Sequence, residues 1–258
     1  MKIGICINPL DTLNWPSLPC DYLEANVQGL FIPEALDADF APVAVKLAPL
    51  AGRIPAANCF LPGDLKVTGP SVDHDRLARY ADTAFRRAAS IGTKIIVFGS
   101  GGARQIPDGW SHTEAFEQFV RALEICAPLA LKHGVTLVVE PLNRGECNLV
   151  NTVVEGAVVV ARVNHPNIRL LVDIYHMACN DESPDDIVKV GPWIAHAHIA
   201  EKADRTAPGV AGDDFRPWMA ALKRAGYTGN LSLECKLAPD PRKLAERSIA
   251  FLQTQLPE

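Results

Sequence analysis

The stretch "VTLVVEPLNRGE", residues 135–146, sets a buried run against a carboxylate. Val135 to Val139, with Thr136 among them, form a short apolar, β-branched run of the kind found in strands covered on both faces. The run ends at Glu140, and Pro141 cannot donate to a strand ladder. A carboxylate at the tip of an apolar run ionises poorly unless something positive meets it.

Working outward, the same pattern recurs as "KIGICI" (2–7), "VQGLFI" (27–32), "RIPAANCF" (53–60), "KIIVFG" (94–99), "IRLLVD" (168–173), "IAHAHI" (194–199) and "LSLECK" (231–236). Amphipathic segments lie between many of them. "DHDRLARYADTAFRRAASIG" opens on Asp73 as N-cap and closes at Gly92. "SHTEAFEQFVRALEICAPLALKHG" begins with a Ser111–Glu114 capping box and ends at Gly134. Further helical patterns are "TVVEGAVVVARVN", "DFRPWMAALKRAG" and "DPRKLAERSIAFLQTQ". Strands alternating with helices imply right-handed βαβ units in a parallel sheet. Eight such units in 258 residues are the count of a closed (β/α)8 TIM barrel, read here as a single domain over residues 1–258. A doubly wound sheet is disfavoured because no GxGxxG follows the first strand, and "FGSGG" (98–102) lacks the spacing of a phosphate loop.

Composition narrows the function. A net charge of −5 offers no basic footprint for nucleic acid. No apolar run approaches the roughly 18 residues of a membrane span, and "MKIGICINPL" reads as a first strand rather than a signal peptide. Seven cysteines, an odd number with no CxxC pair, read as reduced thiols in a cytoplasmic protein.

The late strands share one feature. The fifth stops at Glu140 and the sixth at Asp173; the seventh carries His198 near its tip and the eighth carries Glu234. In a barrel all strands point the same way, so these groups rise to the C-terminal rim, where barrel enzymes keep their chemistry. Three carboxylates and an imidazole converging on one point repel unless a divalent cation joins them. Oxygen donors with one nitrogen suit Mn²⁺, taken first, or Mg²⁺, Co²⁺ or Zn²⁺. His196, two residues before His198, faces the same side one layer deeper and reads as a packed or supporting histidine. Trp15, Trp110 and Phe98 lie near βα loops, either walling a pocket or packing in the core. "GGARQIPDGWSH" reads as a lid or specificity loop.

At "VVEPLNRGECNLVNT" (138–152), "HPNIRLLVDIYHM" (165–177), "HAHIAEKADRTAPG" (196–209) and "GYTGNLSLEC" (226–235), the chain resembles the sugar phosphate isomerase/epimerase superfamily with a xylose isomerase-like barrel. Ketose 3-epimerases and hydroxypyruvate isomerases belong to it. The resemblance implies metal ligands at Glu140, Asp173, His198 and Glu234, with Glu140 and Glu234 also moving the proton. It implies substrate contacts at Glu146, His176 and Arg205. The expected activity is metal-dependent sugar epimerisation or isomerisation of a ketose or related polyhydroxy carbonyl compound, by proton transfer through a metal-bound enediolate. The expected partner is thus a small sugar or keto-acid. The alternatives are a lyase or dehydratase acting on a keto sugar or inosose, and aldose–ketose isomerisation of the hydroxypyruvate isomerase type. Homo-oligomers are common in the superfamily, but nothing in the sequence fixes a number of chains. Endonuclease IV shares the barrel, but "NCFLPG" and "VFGSGG" lack the extra histidines of its zinc site.

Overall fold

A computed structural model describes residues 1–257. Eight parallel strands close on themselves: β1 (Lys2–Cys6), β2 (Tyr22–Asn26), β3 (Ala56–Asn58), β4 (Ile95–Phe98), β5 (Thr136–Val139), β6 (Ile168–Asp173), β7 (Ile194–Ile199) and β8 (Asn230–Leu233). β8 pairs back onto β1 through Lys2–Asn230 to Ile5–Leu233, so no strand is left as an edge. The outer layer includes α1 (Asp37–Leu47), α2 (His74–Ser90), α4 (His112–His133), α5 (Val153–Val163), α8 (Arg216–Arg224) and α9 (Pro241–Gln255). Between α2 and α4, after β4, lies a single turn, α3 (Gly101–Arg104). The expected caps form: Asp73 accepts from Arg76 N, Ser111 accepts from Glu114 N, and Gly134 ends α4 in the left-handed region.

The second strand differs from its expected place. "VQGLFI" is not extended; Val27–Phe31 forms one π-helical turn, and the strand lies just before it at Tyr22–Asn26. Asn26 stops the strand by accepting the Gly29 N–H at 2.8 Å. Glu24 sits in the middle of that strand, fully buried, and a charged residue breaks the apolar pattern that marks a strand. Between β6 and β7 the chain forms two short helices, α6 (Ile174–Cys179) and α7 (Pro184–Val190). Their length gives too little periodicity to read from sequence.

Side chains alternate along each strand, which sorts them into layers. Val97, Val138 and Leu171 form a small apolar cluster apart from the main core. Each lies two residues before Gly99, Glu140 and Asp173 respectively, so under β4, β5 and β6 the barrel interior is apolar, with Glu140 and Asp173 above it at the rim. On the other side of the sheet, Phe60 stacks on Phe85 and meets Tyr80 and Phe98 edge-on, while Phe98 meets Phe119. That aromatic cluster glues α2 and α4 to the barrel. Gly4 is required by close approach: a Cβ there would lie 2.3 Å from the Tyr22 ring. All seven cysteines are free thiols. No helix among the described residues is long and apolar enough to cross a membrane.

Glu182, just before α7, accepts the Val153 N–H at 2.9 Å and so ties that loop to α5. Burial pushes its carboxyl up to about 7, with Asp186 and Glu155 adding to the effect. The folded state therefore favours the protonated form, and ionisation costs stability above that pH but not below the ordinary value of 4.5. Glu182→Gln keeps the acceptor and removes the charge. It is expected to raise stability at pH 8 by on the order of 1 kcal/mol after solvent screening, and to be neutral at pH 4. Thermal melts at the two pH values check this, and equal melting temperatures at pH 8 would refute it.

Candidate metal centre

The strand ladders carry the site residues to one place. Glu140 follows β5, and its N–H still reaches Phe98 O of β4 at 3.2 Å. Glu234 follows β8 and bonds Ile199 O of β7 at 3.1 Å. Asp173 ends β6 directly opposite His198 of β7, and its Oδ1 caps α6 through Tyr175 N at 2.8 Å. Glu140, Asp173, His198 and Glu234 each bring one ligand atom, and these four atoms lie within 4.8 Å of one another. All but Glu234 are buried. Strand tips were the positions named from sequence, and the fold brings all four together.

The electrostatics are those of a site short of positive charge. Burial, and then the charge of Glu234, push the Glu140 carboxyl up. Burial likewise lifts Asp173 to about 6 against the pull of Arg205 and His198. Glu234 goes the other way: burial opposes ionisation, but His198 and Arg205 outweigh it and hold the carboxyl down to about 2. His198 Nδ1 lies 3.3 Å from Glu140 Oε1 and 3.1 Å from Glu234 Oε2. Burial works against a charged imidazole there, but Glu24 and Glu234 raise the His198 pKa well above its usual value. Two carboxylate oxygens and an imidazole nitrogen facing one point need either a proton or a cation among them. The set therefore fits a divalent ion with oxygen preference.

The expected substrate contacts also converge. Arg205 Nη2 lies 2.5 Å from Glu234 Oε2 and 3.4 Å from Asp173 Oδ2, and Nη1 lies 3.6 Å from Glu146 Oε1. The guanidinium sits over the Tyr175 ring at 4.6 Å. His176 Nε2 is 3.5 Å from Asp173 Oδ2. Its Nδ1 accepts from Asn143 N at 3.2 Å, and the Asn143 amide, 2.9 Å from that nitrogen, also bonds Glu146. Burial holds the His176 imidazole below its usual range. Beside these residues opens a cavity of about 240 Å³, further walled by Gln28, Cys59, Leu61 and Leu142. Gly99 is needed at its floor, since a Cβ there would lie 2.1 Å from Glu140 Oε2.

Phe98, Trp15 and Trp110 do not wall this cavity. Phe98 is part of the aromatic core, and Trp110 borders an outer crevice beside His74 and α4. The segment 101–112 reaches the cavity only through Gly101; farther along, Asn148 clamps Ile106 by both backbone groups, at 2.8 and 3.0 Å.

Four residues absent from the sequence reading support the site. Asn58 of β3 donates to Glu234 Oε1 at 2.8 Å. Arg104, fully buried, donates to Glu140 O at 2.7 Å and to Phe98 O at 3.3 Å, tying the ends of β4 and β5. Glu201, also fully buried, accepts from the N–H groups of Gly209, Ala211 and Gly212 and from the Thr206 hydroxyl. That carboxylate gathers the loop that carries Arg205, whose own backbone is left-handed at φ 53°. Glu24 lies beneath His198 and His196. The only signal for Glu24 and Glu201 was a charge inside or just after a strand run, which is too common on its own to mark a site.

This barrel, with its acidic rim, belongs to a known group. The chain is a member of the xylose isomerase-like TIM barrel family, which matches residues 53–255. It is 33% identical over 116 residues to the L-ribulose 3-epimerase of Methylomonas sp. (strain DH-1), covering 45% of this chain and 40% of that protein. It is 32% identical over 216 residues to the L-ribulose 3-epimerase of Mesorhizobium japonicum, covering 77% of this chain and 67% of that one. A putative hydroxypyruvate isomerase of Streptomyces coelicolor is 29% identical over 218 residues, or 81% of this chain and 75% of that one. The match thus spans only about 40% of the length of the first of these relatives. In fold, the chain superposes on D-psicose 3-epimerase with D-tagatose from Clostridium cellulolyticum H10 with a TM-score of 0.81 at 20% identity, over 99% and 98% of the two chains.

Proposed function

We propose that this chain is a divalent-metal-dependent sugar epimerase acting on a ketose or related polyhydroxy carbonyl compound, working as one domain over residues 1–258. One observation carries the reading: Glu140, Asp173, His198 and Glu234 each bring a ligand atom to one point, within 4.8 Å of one another, with both glutamates beside the same imidazole. Two carboxylates carried on different strands to one point let a site both take and give a proton. A divalent ion held by Glu140, Asp173, His198 and Glu234, manganese first among the candidates, would supply Lewis acidity toward a carbonyl oxygen and its neighbouring hydroxyl.

The remaining chemistry belongs to the chain's own residues. Glu140 and Glu234 come from β5 and β8, on different sides of the barrel mouth. One removes the proton from the carbon next to the carbonyl and the other returns a proton to the opposite face, inverting that carbon. Each catalytic turn leaves the proton count of the pair unchanged and exchanges their roles. Arg205 and His176 face the charge that develops on oxygen, and Glu146, through Asn143 and Arg205, orients a substrate hydroxyl. Aldose–ketose isomerisation, with the proton returned to the adjacent carbon, is the second reading. It is favoured by the Streptomyces relative, whose alignment covers more of this chain than that of either epimerase.

The test is a set of ketoses, aldoses and oxo-acids incubated in D₂O with Mn²⁺ and followed by NMR. Deuterium at the inverted carbon is the expected outcome; a shifted carbonyl identifies isomerisation and loss of water identifies a lyase. Treating the active protein with a chelator is expected to abolish exchange, and Mn²⁺ to restore it. Full exchange in chelated, metal-free protein would sink the metal-dependent reading.

A further inference from the structure

Below the four-residue cluster lies a carboxylate that the proposed reaction does not use. Glu24 of β2 is wholly inaccessible to solvent, as are His196, His198 and Ser232 around it. Its Oε1 lies 2.9 Å from His198 Nε2, and its Oε2 lies 2.7 Å from His196 Nε2 and 2.5 Å from Ser232 Oγ. Tyr22 Oη lies 2.6 Å from the same Ser232 hydroxyl. His196 Nδ1 has no hydrogen-bond partner among the described residues.

One proton arrangement satisfies this group. An ionised carboxylate only accepts, so both imidazoles donate through Nε2–H and Ser232 donates through its hydroxyl. Tyr22 in turn donates to Ser232. A proton on Nε2 leaves Nδ1 of His198 free to act as a lone pair, and Nδ1 is the nitrogen that lies 3.3 Å from Glu140 Oε1 and 3.1 Å from Glu234 Oε2. A ring held through its distal nitrogen by a carboxylate is fixed in orientation, and Nδ1 is the nitrogen that gives up its proton to an arriving ion.

We propose that Glu24 is a positioning residue for the metal centre, locking His198 in the Nε2–H tautomer so that Nδ1 is the ligand, with Ser232 and Tyr22 fixing Glu24 in turn. This deepens the reading of the cluster as a cation site and rests on it. A purely space-filling role does not account for a carboxylate here, because an apolar side chain would fill the volume without the cost of burying a charge.

The test uses the full chain and metal alone. Mn²⁺ binding to wild type and to Glu24→Gln is measured by loss of the free-ion EPR signal. The glutamine amide cannot accept from both imidazoles, so affinity is expected to fall by about 10- to 100-fold. A folded Glu24→Gln protein with wild-type affinity overturns the proposal. A second measurement needs no variant: histidine ¹⁵N–¹H correlation spectra of the wild-type protein loaded with Zn²⁺. A proton on His198 Nε2 with Nδ1 bare is expected, and a proton on Nδ1 overturns the proposal even if Glu24→Gln fails to fold. Ser232→Ala is expected to weaken Mn²⁺ less than Glu24→Gln does, and a reversed order counts against the relay. Wild-type protein that binds no Mn²⁺ removes the cation-site reading itself, an outcome distinct from unchanged affinity in the variant.

Discussion

Glu234→Gln is expected to lower turnover by at least about a thousandfold while leaving a folded barrel, on the scale of losing both a positioned base and a metal ligand. On the proposed reading, the wild-type carboxylate, held ionised by His198 and Arg205 against the cost of burial, is the group that accepts the proton. The amide keeps its volume but can neither take a proton nor balance the charge of Arg205, 2.5 Å away. Residual deuterium exchange on a confirmed substrate is the readout, with far-UV circular dichroism to show that the fold survives. A variant that retains the wild-type rate shows that Glu234 is not the proton carrier.

The second large effect concerns stability. Phe98→Ala is expected to cost about 3–5 kcal/mol, because a fully buried aromatic ring leaves a cavity among rigid neighbours. Phe98 contacts Phe60 and Phe119 at centroid distances of 5.4 and 5.2 Å, bridging the barrel to α4. Urea unfolding measures the change. Below the unfolding transition, substrate KM is expected to stay near wild type, since Phe98 does not border the cavity. A lowered affinity with unchanged stability would return Phe98 to the pocket wall.

How much of this was legible depends on where each residue lies. Glu140 and Asp173 stand at the ends of clean apolar runs, so strand polarity alone delivers them to the rim. His198 and Glu234 follow from the same rhythm one and two units later. The barrel was readable from the βα alternation of the C-terminal half, where helices such as α5 carry clear caps. The N-terminal half hid more. β2 was misplaced because Glu24 interrupts its apolar run, while the apolar turn after Asn26 mimics a strand. Glu24, Asn58 and Arg104 act through partners 36 to 176 residues away, and local pattern carries no record of such contacts. Phe98 was ambiguous for a related reason: alternation places it on one face or the other only once the register with β5 is known.

The Glu201 loop has a consequence for recognition. Because one buried carboxylate gathers three backbone N–H groups of the segment 201–212, Arg205 stands as a fixed post rather than a swinging arm. On the proposed reading, a sugar meets that wall already set, and little conformational freedom is lost in organising it. On the same reading, adaptation to differently shaped substrates falls to the rest of the lining, such as Gln28, Leu61 and Gly101. Changes of preference are accordingly expected to arise there, while residues 201–212 hold Arg205 in place.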